Sequence, residues 1–338
     1  MNSYAAGAEG VRVGIAGATG YTGVELIRLL ARHPKAHLAA AMGSPGAAPR
    51  IVPALKRLWD EPVSGLDVEA LADATDAVFL ALPDHAAAEI APPLVARGKR
   101  VFDLSGAFRL RDRELRRRWY PHTPDSAPGV VYGLTERYRD RLPDSTLVAC
   151  AGCYPTAAIL ALQPLLAAGL LDLSGAPIII DAKSGVSGAG KTPSERTHFS
   201  ECHGSLSAYG VFDHRHAAEI EQELGTAVTF VPHLLPIDRG ILETIYATLA
   251  PGVDDEAVRG ALNQAYVDSP FVRVTGGDLP EIKHVAHTNY CDIGWKVNAA
   301  RRQIVLVSCI DNLVKGAAGQ AVQNFNVAFG FDEGLGLN

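Results

Sequence analysis

The chain has 338 residues, 48% of them hydrophobic and 20% charged, and its 31 Lys and Arg against 37 Asp and Glu leave a formal net charge of -6. This is globular composition, long enough for two domains with separate cores, and the acidic balance excludes a surface built for nucleic-acid phosphates. No charge-free run of about 20 apolar residues occurs, so no membrane span is expected. Met1–Gly10 lacks the basic and apolar regions of a signal peptide, which points to the cytoplasm.

In chain order, Val11–Ala16 reads as a buried strand, followed at once by Gly17-Ala-Thr-Gly20-Tyr-Thr-Gly23 and a helical run from Val24 to His33 that Pro34 closes. Further strands are expected at His37–Met42, Ala77–Leu82, Arg100–Leu104 and Leu147–Ala149, with helical stretches between several of them. Strand and helix in alternation predict an α/β domain, a Rossmann-type doubly wound parallel sheet over residues 1–150. Beyond Cys153 the texture changes. Strands at Ile178–Asp181, Val228–Pro232, Ile241–Leu249 and Ile304–Ile310, with helices at Ala157–Ala168 and His216–Leu224, predict an α+β domain with a mixed sheet over residues 151–311. Lys315–Phe329 reads as a long amphipathic helix, and the closing stretch 312–330 is expected to pack back on the first domain.

Gly17, Gly20 and Gly23 sit in the first strand-to-helix turn, where glycine lets the backbone approach a pyrophosphate and the helix N-terminus offers free N–H groups. The G-x-x-G-x-x-G spacing differs from the commoner G-x-G-x-x-G, but strand, loop and helix arrive in the order dinucleotide binding requires. Thr19, Tyr21 and Thr22 belong to the same loop. An NAD site usually places an acidic residue at the end of the second strand, and Ala41–Arg50 contains none. Ser44 and Arg50 there suit a 2′-phosphate instead, which favours NADP(H).

The five cysteines, Cys150, Cys153, Cys202, Cys291 and Cys309, are odd in number and scattered, unlike a disulfide framework. Cys150 and Cys153 have C-x-x-C spacing, but no second pair completes a zinc set. Pro155 suits the first turn of a helix, which places Cys153 at or beside a helix start, where the dipole stabilises a thiolate. Cys150, inside the strand, reads as core. A thiolate attacking an acyl carbon needs a proton carrier. Asp213-His214-Arg215-His216 is the densest source, its histidines pointing to opposite sides if the segment is extended; His233 is a further candidate, read as structural or substrate-facing. His198 and His203 have helical metal-ligand spacing, yet no metal is expected. Lys183–Gly190 reads as a mobile, donor-rich loop, and Asp103-Leu-Ser105-Gly-Ala-Phe-Arg109 follows a strand on its ligand-binding edge, where Arg109 would grip a carboxylate or phosphate. The arginines from Arg111 to Arg118, interleaved with Asp112 and Glu114, read as a solvated face.

Taken together, these motifs resemble the N-acetyl-gamma-glutamyl-phosphate reductase family, relatives of aspartate-semialdehyde dehydrogenase. The resemblance runs from about Val11 to Asn326 and rests on Gly17–Gly23, Asp103–Gly106, Gly152-Cys-Tyr-Pro-Thr156, Lys183–Gly190, His214-Arg-His216, Pro232–Pro236 with Arg239-Gly240, Thr288–Gly294 and Asp311–Gln320. Cys150-Ala151, where the family usually has Asn-Pro, and Ala217-Ala218, where a Pro is common, are departures that remove no catalytic group. The resemblance implies a catalytic and dimerisation domain, NADPH, a homodimer or homotetramer, and a small acyl-phosphate substrate reduced through a thioester on Cys153. It also implies His216 as the acid/base with His214 the second choice, Ser184, Gly185 and Asn312 on the nicotinamide side, and Ser105, Arg109, His214 and His233 toward substrate. The rival substrate is the carrier-protein-bound aminoadipyl phosphate of lysine synthesis; a dinucleotide-sensing scaffold and a cysteine hydrolase are the rival classes.

Overall fold

The computed structural model describes residues 10–124 and 129–337, which form two units, one of 1–151 with 317–338 and one of 152–316. The first unit begins β1 (Val11–Ala16), α1 (Tyr21–Leu30), β2 (Ala36–Met42), α2 (Val68–Ala74), β3 (Ala77–Leu80), α3 (Asp84–Ala96) and β4 (Arg100–Asp103). It continues with α4 (Arg113–Trp119), β5 (Val130–Gly133), α5 (Thr135–Tyr138) and β6 (Leu147–Cys150). Among the described residues these strands make one parallel sheet in the order β2-β1-β3-β4-β6-β5. β3, β4 and β6 are buried at every position, as parallel strands covered on both faces must be. The order reverses between β1 and β3, so their carboxyl ends open the crevice where ligands of such sheets bind. β5 was not foreseen; four residues are too few to show a period, and only pairing with β6 makes them a strand.

The second unit runs α6 (Cys153–Ala167), β7 (Ile178–Gly185), α7 (Phe199–Cys202), β8 (Ser207–Ala208), α8 (Arg215–Leu224), β9 (Val228–Leu235) and β10 (Ile241–Thr248). It ends with α9 (Asp255–Tyr266), β11 (Val272–Gly276), α10 (Ile282–Val285), β12 (Cys291–Asn298) and β13 (Gln303–Ile310). Its strands form a mixed sheet in the order β11-β12-β13-β10-β7-β9-β8, with β11–β12 and β7–β9 parallel and the other pairs antiparallel. Lys183–Gly185, expected in a loop, are instead the last residues of β7. α6 is buried along nearly its whole length and covers one face of the sheet, packing on β10 and β13. On the opposite face Ile179 and Tyr246 stand in register and stay exposed.

A π-turn at Val314–Ala318 leads into α11 (Gly319–Ala328), which belongs to the first unit. This segment was expected as a continuous amphipathic helix; α11 is buried on its polar side as well. Gln320 donates to Thr135 Oγ1 at 2.9 Å, Gln323 to Glu333 Oε1 at 2.7 Å, Asn324 to the Gly133 carbonyl at 2.9 Å and Asn326 to the Glu333 carbonyl at 3.0 Å. Phe325, on its apolar side, meets the stacked pair Phe79 and Phe102. Amides that read as a solvent face thus serve as internal ties, which burial permits only because each finds a partner.

No helix among the described residues is long and apolar enough to cross a membrane. One buried group stands out: Glu243 on β10 is fully enclosed, and neither carboxylate oxygen finds a hydrogen-bond partner among the described residues. Burial holds its pKa well above the usual range despite the charge of Lys183. A raised carboxyl pKa contributes stability below the unfolded value and costs stability as pH rises above it, by up to about 1.4 kcal/mol per pH unit until the folded value is passed. Glu243→Gln is therefore expected to raise the melting temperature at pH 8, with the gain shrinking toward zero near pH 4. Melting curves across that range are the check, and a gain independent of pH would mean that Glu243 is ionised in the fold.

Candidate active site

Two helix starts carry the chemistry of the second unit. α6 opens on Cys153 itself, with Gly152 as an extended N-cap and no side chain closing the first turn. The positive end of the helix dipole thus lies at a half-buried cysteine in no disulfide, a setting that favours a thiolate. Cys150, three residues earlier in β6, is the opposite case: burial pushes its thiol up to about 12.

α8 supplies the second start. His216 lies in its first turn, 7% exposed, and Glu219 one turn on is fully buried. Glu219 Oε1 accepts the Gly152 N–H at 2.8 Å, so the helix carrying His216 is tied to the residue before Cys153. His214 is the N-cap of α8, its Nδ1 accepting the His216 N–H at 3.1 Å. The two histidines, expected on opposite sides of an extended segment, therefore meet, with ring centroids 4.9 Å apart, because the helix begins between them. Burial and the neighbouring Arg215 push His214 down to about 4.

Tyr154 follows Cys153 and packs edge-on against His216, His214 and Phe230. Its hydroxyl bonds the Tyr209 hydroxyl at 3.2 Å and the His233 carbonyl at 3.3 Å, and burial pushes both phenols upward, so they remain protonated. The His233 side chain does not join this cluster. Strand alternation turns it to the face with Lys183 and Asp181, where Nδ1 lies 3.2 Å from the Ala182 carbonyl and 3.3 Å from Asp181 Oδ1.

Ser184, Gly185 and Asn312 are brought together by the turn at Gly240. Gly185 N–H donates to the Gly240 carbonyl at 2.9 Å; Asn312 accepts the Gly240 N–H at 2.7 Å and donates to Ser187 Oγ at 2.9 Å. The buried Asp311 carboxylate holds this segment, accepting the N–H groups of Leu313, Val314 and His287 and pairing with Arg239 at 3.1 Å. Five residues after Asp311, Gly316 presses on Cys153: a Cβ there would stand 2.7 Å from Cys153 Cβ and 3.2 Å from its Cα.

In the first unit the glycine loop has the form of a phosphate cradle. Gly17 has φ +91°, and a Cβ on it would lie 2.1 Å from the Ala81 carbonyl oxygen, so the loops after β1 and β3 meet only through glycine. A Cβ on Gly23 would lie 2.2 Å from the Gly17 oxygen. Gly20 is the N-cap of α1 with no side-chain cap, Thr19 and Thr22 are half-buried, and Tyr21 is exposed. This close, uncapped turn at the switch point fits a dinucleotide pyrophosphate. Ser44 and Arg50 lie exposed beyond β2. Ser105 Oγ donates to Asp103 Oδ2 at 2.9 Å, and burial pushes the Asp103 carboxyl up to about 6. Arg109 is 6% exposed, its guanidinium donating to the Cys150 and Leu104 carbonyls at 2.8 Å each. Among the described residues no group of three or more His, Cys, Asp or Glu is arranged to hold a metal.

A parallel sheet with a glycine loop at its switch point, a mixed-sheet unit and a cysteine at a helix start define a class. Residues 12–145 match the semialdehyde dehydrogenase NAD binding domain and residues 153–312 the semialdehyde dehydrogenase dimerisation domain, and the chain belongs to that family. Within it the chain belongs with the N-acetyl-gamma-glutamyl-phosphate reductases. It is 47% identical to the one from Pelotomaculum thermopropionicum, covering 97% of each chain, and 44% identical to that of Desulforapulum autotrophicum, covering 97% of this chain and 98% of the relative. In fold it is similar to aspartate semialdehyde dehydrogenase II of Vibrio cholerae complexed with ASA, with TM-score 0.73 and 16% identity over 95% of this chain and 98% of that one. The chain is thus an oxidoreductase using a nicotinamide cofactor, built on a fold that self-associates.

Sequence reasoning passed over Glu219, Gly316 and Tyr209. Glu219 had a signal, a carboxylate three residues from His216 and so on the same helix face. Gly316 had one too, since glycine inside a helical run marks a close approach. Tyr209 had none, because its partner Tyr154 is 55 residues away. Gly316→Ala is expected to displace Cys153 and lower kcat by about a hundredfold, with a loss of about 1–3 kcal/mol in stability. Steady-state kinetics on the folded variant, checked by circular dichroism, measure this; parental turnover would show that the contact does not constrain the nucleophile.

Proposed function

We propose that the chain reduces N-acetyl-L-glutamyl 5-phosphate to N-acetyl-L-glutamate 5-semialdehyde with NADPH and releases phosphate, in the cytoplasmic synthesis of arginine. The observation that carries the reading is the joining of two helix starts: Cys153 opens α6, and His216 lies on the helix that Glu219 ties to that start. His216 takes the Cys153 thiol proton. The thiolate attacks the acyl carbon, the C–O bond to phosphate breaks, and the proton on His216 passes to the departing phosphate, leaving a thioester on Cys153. The nicotinamide cofactor, when bound, supplies a hydride to the thioester carbonyl. The resulting oxyanion on Cys153 collapses, releasing the semialdehyde and the Cys153 thiolate, which takes up one proton from solvent to close the cycle. The dipole end of α6 stabilises the thiolate as attacking and as leaving group alike.

Glycine loop Gly17–Gly23, with Thr19, Tyr21 and Thr22, would hold the pyrophosphate, and Ser184, Gly185 and Asn312 the nicotinamide side. Ser44 and Arg50, exposed in a stretch without carboxylates, support NADPH over NADH. Arg109 and Ser105 act toward substrate by shaping the loop after β4, since their polar atoms are engaged with Cys150, Leu104 and Asp103. Free thiols throughout suit a reducing compartment. The exposed Ile179–Tyr246 pair on the open sheet face supports a homodimer, or a tetramer built from it. The relatives described above carry the acetylglutamyl name, and nothing in the site favours a carrier-bound aminoadipyl substrate.

Run in reverse with N-acetyl-glutamate semialdehyde, phosphate and NADP, the enzyme is expected to form NADPH, and Cys153→Ser to lower the rate by at least about a thousandfold while still binding NADP. Activity confined to a carrier-linked substrate, or persisting in the serine variant, would overturn the reading. The ratio of kcat/KM for NADPH and NADH is expected to favour NADPH by tenfold or more, on the order of one charge-assisted contact to the 2′-phosphate; a preference for NADH would remove Ser44 and Arg50 from the ribose.

A further inference from the structure

We infer that His214 is a positioning residue: as the N-cap of α8 it fixes the backbone and ring of His216, and it does so as a neutral imidazole with its proton on Nε2. The inference rests on the reading of Cys153 as nucleophile and His216 as acid/base.

Helix starts are ordinarily capped by Ser, Thr, Asp or Asn, and histidine is an uncommon choice. At α8 the cap is His214 Nδ1, accepting the His216 N–H at 3.1 Å from an extended backbone with φ -130° and ψ 126°. An acceptor nitrogen must keep its lone pair, so the ring proton belongs on Nε2. A smaller cap would satisfy the same N–H group; what the imidazole adds is its faces. The ring stands edge-on to His216 at 4.9 Å, Phe230 at 5.4 Å, Tyr209 at 5.6 Å and Tyr154 at 6.0 Å. His216 is in turn edge-on to Tyr154 at 5.9 Å. One wall of the His216 ring is thus His214 and another is the residue following the nucleophile. Rings packed this way set the direction of the imidazole as firmly as a hydrogen bond would, and a proton carrier misdirected by about 1 Å loses on the order of a hundredfold in rate.

Neutrality matters as much as position. A second proton on Nδ1 would end the cap and place a cation against the ring that must itself accept a proton. The groups facing His214 keep this from happening. From α8 comes the cation Arg215; from α6 come Tyr154 and, beside it, Cys153; from the segment before α8 come Tyr209, with Arg196 over its ring, and Asp213; β9 presents the uncharged Phe230. Both phenols are held protonated, so burial and Arg215 prevail.

The test uses the full-length enzyme, with Cys153→Ser as the reference for the underlying reading: turnover in that variant would sink the reading itself, whatever His214 does. With Cys153→Ser inactive, His214→Ala is expected to lower kcat about tenfold or more with KM changed less than about threefold, and to move the limb of the pH–rate profile that His216 sets. His214→Asn keeps a capping acceptor without the ring, so it is expected to fold like the parent and recover part of the loss. In 15N-histidine spectra His214 is expected as the neutral Nε2–H tautomer at pH 6. A parental kcat and pH profile in His214→Ala, a loss confined to KM, no recovery by Asn, or a charged His214 at pH 6 would each overturn the inference.

Discussion

The hydrogen bond from the Gly152 amide to the Glu219 carboxylate is the tie on which the candidate site depends. It joins two helices that start 62 residues apart in the chain, and it does so at the N-terminal ends, where backbone donors lack helical partners. Because it engages the amide before Cys153, it settles the approach of α8 without occupying the donors in the first turn of α6. Cys153, His216 and Glu219 therefore come from the first two turns of two helices.

Close backbone approach is the second constraint. Gly17 exists in its conformation because Ala81 leaves no room for a side chain, and Gly316 because Cys153 does not. These contacts differ in consequence. At Gly17 a left-handed φ and a crowded carbonyl shape a loop that phosphates can approach; at Gly316 a π-turn, a form often found at functional positions, wedges its glycine against Cys153. The buried Asp311, which caps the residues leading into that turn, keeps the wedge and Asn312 in one rigid segment.

The cysteines show how environment outweighs residue type. Cys150 and Cys153 are separated by a single strand-to-helix step, yet the first is enclosed at the end of β6 with its thiol pushed up to about 12, while the second meets an uncapped helix start. Cys309, also in a strand, is pushed up by burial and by the acidic neighbours around it. The histidines divide the same way. His214 is driven down and used as an acceptor, and His233, on the far face of β9, pairs with Asp181.

What the sequence determined by itself is whatever depends on local order. Apolar runs alternating with helical periods were enough for the parallel sheet and for the change to a mixed one after Cys153, because period and burial are written in neighbouring residues. A glycine loop directly after the first strand, and Pro155 just past Cys153, likewise marked two helix starts. The tertiary structure alone decided the rest, since those interactions link residues distant in the chain. β5 is a strand only through β6. The amides of α11 are internal because Thr135, Gly133 and Glu333 meet them. The two histidines of His214-Arg-His216 touch because α8 begins between them and Tyr154 and Phe230 close around both. Hydrogen-bond satisfaction and ring packing are properties of the assembled core, and no local window of sequence contains them.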